Sequence, residues 1–130
     1  MADLDLQPLT AALEARLDAF PGAVADPYVP PRGTHPLVLM YKVMGKIFAI
    51  LNARGAQGVI VKSDPHLAEI LREQYDGVGH RSHLDRRFWI SIDLAADVPP
   101  EEVERLIERS YELVCSGLSR KQQAALAVLA

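Results

Sequence analysis

Residues 37–62 read LVLMYKV, MG, KIFAIL, NARGAQG and VIVK, and no other stretch constrains the fold as strongly. The apolar spacing changes here to a period of two, the repeat that sends successive side chains to opposite faces of a strand. Met44-Gly45 is a tight-turn signal and residues 52–58 form a second turn. Strands joined by links this short pair as an antiparallel meander, so the segments around Val38, Phe48 and Ile60 are expected to be neighbours.

Helical spacing brackets this run. Leu9, Leu13, Leu17 and Phe20 recur at the helical period, with Pro8 suited to a first turn and Pro21-Gly22 to a stop. The prolines between residues 23 and 36 predict an extended connection over the surface. Asp64-Pro65 caps and opens a second helix with an apolar stripe of Leu67, Ile70 and Leu71, closed by Gly77. A loop or short strand is expected at residues 80–83 and a strand at 88–94. Pro99-Pro100 and the acids Glu101, Glu102 and Glu104 begin a third helix, where negative charge suits the helix dipole. Its Val103, Leu106, Ile107, Ser110 and Val114 face one way until Gly117, and Ser119 starts a last short helix. Strands that run together between helices predict an α+β protein, with an antiparallel sheet of three strands plus one or two more covered by helices. Leu13, Leu17, Ile70, Leu106 and Ile107 are expected in the core. At 130 residues the chain reads as a single domain, 1–130.

Charge is distributed unevenly. Residues 1–31 carry one basic and five acidic side chains, residues 32–87 nine and five, and residues 88–130 four and seven. The basic middle peaks in YDGVGHRSHLDRRFWISID, residues 75–93, which holds Arg81, Arg86, Arg87, His80, His83 and the single tryptophan, Trp89. Arginine binds anions and stacks on planar groups, so the run suggests a binding surface. Trp89 itself is read as core, the commoner place for so large an aromatic, with a stacking platform as the alternative.

Catalysis is not expected. Ser82 and Ser91 lie near histidines in sequence only, no nucleophile, base and orienting group can be assembled, and no phosphate-loop pattern occurs. His80-x-x-His83 has ligand spacing, but zinc needs three or four ligands and the single cysteine, Cys115, can supply neither a thiolate cluster nor a disulfide. Neither a metal nor another cofactor is expected. The acidic N-terminus lacks the features of a signal peptide, and no apolar run approaches the length of a membrane span, so a cytoplasmic location away from membranes is expected.

The blocks VMGKIFAIL (43–51), VKSDPHLAEILRE (61–73), YDGVGHRSHLDRRFWISIDL (75–94) and IERSYELV (107–114) resemble, in order, those of the MmcQ/YjbR family. Gly45-Lys46-x-Phe48-Ala49, the His83, Arg87 and Trp89 series, and Ser110-Tyr111 carry the likeness most clearly. The resemblance implies a frataxin-like α+β sandwich and a DNA-binding role with paired wing-like hairpins. It implies no catalytic residue set. On that reading Lys42, Lys46 and Arg54 contact phosphates from the hairpins. Arg81, Arg86 and Arg87 supply the main basic loop, and His83 and Trp89 border it. The alternative is a protein-interaction or small-anion-binding module that uses the same arginine loop.

Overall fold

The protein is described by a computed structural model covering residues 8–28, 38–52, 57–80 and 82–129. In chain order the elements are α1 (Pro8–Asp18), β1 (Ala23–Tyr28), β2 (Val38–Val43), β3 (Lys46–Asn52), β4 (Gly58–Lys62), α2 (Pro65–Gln74), β5 (Val78–Gly79), β6 (Trp89–Asp93), α3 (Pro100–Ser116) and α4 (Arg120–Leu129). The strands form one sheet in the order β1-β2-β3-β4-β6-β5, and every neighbouring pair is antiparallel. The α+β class and the β2-β3-β4 meander are as the apolar period indicates.

The meander turn has positive φ at both central residues, Met44 (49°) and Gly45 (80°). Hairpins favour such turns because their twist matches that of the strands. Pairing then slips by one residue between Tyr41 and Lys42, which makes Phe48 the extra residue of a bulge. Beyond the bulge one face of the sheet is apolar and dry. Tyr41, Ala49, Val61 and Ile90 lie in register across it, followed by Leu51, Val59, Ile92 and Val78, and all are buried.

Helix α3 closes that face. Pro100 starts it, Glu101 and Glu102 occupy its first turn, and Val103, Leu106, Ile107, Ser110 and Val114 form its buried stripe. A fully buried isoleucine such as Ile107 contributes about 1.5–3 kcal/mol through removal from water. Leu13 and Leu17 of α1 complete the core beside α3. The opposite face carries Met40, Ile50, Ile60 and Ser91 in one cross-strand row, all half-buried.

Four expectations need correction. Residues 23–28 form an edge strand rather than a surface connection, paired with β2 from Ala23↔Val43 to Tyr28↔Val38. An edge strand has a partner on one side only, so it tolerates a proline such as Pro27 where the missing N–H would face away from the ladder. The short strand is Val78–Gly79, ahead of the expected position, and residues 82–84 turn instead. Ile70 is 44% exposed. The buried positions on α2 are Ala68 and Leu71, and Ile70 falls beside that stripe, toward water. Trp89 is half-buried rather than core, because Ile90 and Ile92 take the helix-facing positions of β6 and the alternation turns Trp89 to the other face.

Candidate functional site

Antiparallel pairing decides which charged residues meet. Val43 pairs with Lys46 and Lys62 with Trp89, so the end of β2, the start of β3, the end of β4 and the start of β6 share one end of the sheet. β5 runs toward that end, since Val78 pairs with Ile92 and Gly79 with Ser91, and the arginine-rich run lies between it and the start of β6. Lys42, Lys46, His83, Arg86 and Arg87 therefore lie at one end, together with Lys62 and Trp89. Arg54 and Arg81, which the sequence reading adds, lie outside the described residues.

These side chains are not equivalent. Lys42 is engaged, its Nζ 3.0 Å from Asp26 Oδ2. Arg87 holds Asp85 through two bonds, Nη2 to Oδ2 at 2.8 Å and Nε to Oδ1 at 3.2 Å, and its guanidinium lies 5.2 Å from the Phe88 ring centre. The Arg87 side chain, and then its backbone N–H, lower the Asp85 carboxyl to about 2. Lys46 and Arg86 are exposed and make no ion pair among the described residues. Lys62 is half-buried beside its cross-strand neighbour Trp89. His83 is exposed.

The loop that presents these groups is tied internally. His80 Nε2–H donates to the Leu84 carbonyl at 2.6 Å, Ser82 Oγ accepts from Leu84 N, and Asp85 Oδ1 accepts from Arg87 N. The Phe88 and Trp89 amides both donate to Asp85 O, and Phe88 O accepts from Ser63 N at 2.8 Å. Arg72 of α2 reaches beneath, donating from Nη2 to Arg86 O at 2.6 Å and to Trp89 O at 3.0 Å. Burial, then the nearby Arg86 charge, lower the Arg72 pKa. Arg72 thus fixes the backbone of the basic loop and leaves the Arg86 side chain in solvent.

Ser110 braces the same end from below. Its hydroxyl donates to Phe48 O at 2.6 Å and accepts from Lys62 N at 2.8 Å. Past the Ala49↔Val61 pair, these two backbone groups fall where the next rung would join β3 to β4. The serine bridges a gap that the Phe48 bulge opens. Tyr111 packs alongside, its ring 4.6 Å from Phe20 and its hydroxyl donating to Pro21 O at 2.6 Å.

Sequence reasoning did not select Arg72 or Ser110 for the site. Ser110 had a signal, since a polar residue inside an otherwise apolar helix stripe must hydrogen-bond to be buried there. Arg72 had none, because a single arginine near a helix end is common.

The far end of the sheet has the opposite sign. Asp76, Asp93 and Asp97 meet there. Asp97 Oδ2 accepts from Asp76 N at 2.9 Å and Oδ1 from Gly77 N at 2.8 Å, bonds that lower its pKa in that order. Among the described residues, no three His, Cys, Asp or Glu side chains converge as a metal site requires, and no helix is long and apolar enough to cross a membrane.

A family model described as YjbR matches residues 18–113. The chain is 28% identical over 89 residues to the uncharacterised protein YjbR of Escherichia coli K12, spanning 68% of this chain and 75% of that protein. It is 28% identical over 85 residues to the uncharacterised protein YbdF of Escherichia coli O157:H7, spanning 65% and 70%. In three dimensions it is similar to DR2400 of Deinococcus radiodurans, a DUF419-domain protein, with a TM-score of 0.77 at 22% identity over 90% of this chain and 86% of that one. A protein from Pseudomonas syringae gives a TM-score of 0.56 at 22% identity over 68% and 86%. These structural likenesses carry the fold, and the matched segment, from the last residue of α1 through most of α3, carries the family: the chain belongs to the YjbR family.

Proposed function

We propose that this protein binds DNA through the basic end of its sheet and performs no catalytic step of its own. The supporting observation is that Lys46, Lys62, Arg86 and Arg87 share one end of the sheet with the half-buried Trp89. The acids of α3, such as Glu108 and Glu112, belong to the layer behind the sheet. Exposed cations neutralise phosphates, and an accessible aromatic offers a face for a base. A net charge of -3 does not oppose this, because a local patch rather than the whole-molecule sum meets the duplex. Lys46 and Arg86 are the principal phosphate contacts, since Lys42 and Arg87 already have carboxylate partners. His83 borders the patch.

That partnering favours a second reading, in which the same loop holds a small anion or a protein partner with fewer charges. Titration of a duplex at two salt concentrations, read by Trp89 fluorescence, separates the two. DNA binding predicts that log affinity falls with log salt at a slope of about -0.9 per phosphate contact. Tight binding of inorganic phosphate with no response to the duplex would favour the second reading.

A further inference from the structure

The acidic end of the open sheet face contains a hollow of about 400 Å³. Its floor is apolar, made by Val38, Ile50 and Ile60. Its depth comes from short residues. Gly79, Ser91 and Ile60 lie in one cross-strand row, and Asn52, Gly58 and Asp93 in the next. Glycine at 58 and 79 and serine at 91 remove the side chains that would level the surface. At Gly58 a Cβ would stand 2.9 Å from the Ile92 carbonyl, so the backbone itself requires glycine there. At Gly79 a Cβ would meet Ser91 Oγ at an ordinary 3.8 Å, so packing leaves that position open to a side chain.

The rim is negative. Asp93 N donates to Gly77 O at 2.8 Å, which holds the turn carrying Asp76 beside the end of β6. Asp93 uses Oδ1 on the Ala95 amide and keeps Oδ2. Among the described residues no cation pairs with Asp76 or Asp93. Asp97 is committed to backbone amides, so the turn keeps its shape without consuming the other two carboxylates.

We propose that this hollow binds a small organic ammonium ion with an apolar body. The volume falls in the range of small-molecule sites, which combine mostly apolar walls with a few placed polar groups. The body would lie on Val38, Ile50 and Ile60, and the ammonium would face Asp76 and Asp93. Anions are excluded by the two carboxylates. A bare metal ion is disfavoured because, among the described residues, no three His, Cys, Asp or Glu side chains converge to hold it. The site is independent of the DNA surface, since it occupies the other end of the strands.

The test is an NMR titration of the full chain at neutral pH with phenethylammonium, alongside 3-phenylpropionate and 2-phenylethanol as anionic and neutral probes of similar shape. The expected result is saturable amide shifts at Gly58, Gly79 and Ser91 with phenethylammonium, and binding at least about tenfold weaker for the other two. The double variant Asp76→Asn, Asp93→Asn, altered only at exposed positions, should bind the ammonium about tenfold more weakly and lose the preference for charge. Gly79→Val, which fills the hollow without touching the carboxylates, should abolish the shifts at Gly58 and Ser91 while the remaining spectrum stays dispersed. The proposal is overturned by equal binding of the three probes, by unchanged affinity in the double variant, by shifts confined to other residues, or by no saturable response.

Discussion

One end of the sheet carries Lys46, Lys62, Arg86 and Arg87 together with Trp89; toward the other, Asp76 and Asp93 line a hollow with Gly58 and Gly79. The same strands build both ends, so the difference lies in what joins and braces them. The basic end is bridged from below. Ser110 spans the opening between β3 and β4, Arg72 holds the backbone at Arg86 and Trp89, and Asp85 holds Arg87. The acidic end is held by backbone amides on a single carboxylate, Asp97, and is hollowed by small residues. On the proposed reading the basic end would offer an outward surface to an extended polyanion, and the acidic end an inward one to a small cation.

The largest expected effect breaks the bridge. Ser110→Ala leaves Phe48 O and Lys62 N without their shared partner, at a cost of about 1–3 kcal/mol for each buried group left unpaired. Urea denaturation measures this, and hydrogen exchange at the Lys62 amide locates it. A loss under about 0.5 kcal/mol would mean that β3 and β4 close directly and that the serine does not hold the basic end open.

Trp89→Ala comes next. A core tryptophan costs about 3–5 kcal/mol when truncated. Trp89 keeps part of its surface in water, so about 1–2 kcal/mol is expected, together with weakened duplex binding. A loss in the core range with DNA affinity intact would place Trp89 in the structural class and remove it from the interface.

The smallest effect sharpens the acidic end. The amides of Asp76 and Gly77 hold the Asp97 carboxyl below its ordinary 3.8. A carboxyl lowered in the folded state stabilises above its unfolded pKa, and loses that contribution as pH falls through the folded value. Wild type should therefore exceed Asp97→Asn in melting temperature at neutral pH, and the gap should narrow below about pH 4. A gap that stays constant to lower pH would show that the carboxylate charge is not what orders the turn.

The contrast between the ends was partly legible in the sequence. Period two from Leu37 identified the meander, and the helix stripes identified Leu13, Leu17, Leu106 and Ile107 as core, all of them buried. Ile70 was misplaced because Leu67, Ile70 and Leu71 look equivalent in a short helix, and only packing shows which way the helix turns. The β1 strand was hidden by Pro27, whose effect on a ladder depends on whether the strand is central or at an edge. Lys42, Lys46, Arg86 and Arg87 were selected as basic residues, but composition could not show that Asp26 and Asp85 engage two of them. The hollow could not be read at all. It depends on glycines and a serine from separate strands coming into register, and no local pattern reports a cross-strand row.

On the proposed reading, position rather than total charge makes the basic end a DNA surface. The direct measurement compares two double variants that remove the same charge: Lys46→Ala with Arg86→Ala, and Arg120→Ala with Lys121→Ala at the exposed start of α4. Duplex affinity is measured for each across a salt series, with melting temperature as a control. The first pair should weaken binding and make the slope of log affinity against log salt shallower by about 1.8, the loss of two phosphate contacts, while the second changes neither. Equal weakening by both pairs, or no change in either, would contradict the claim.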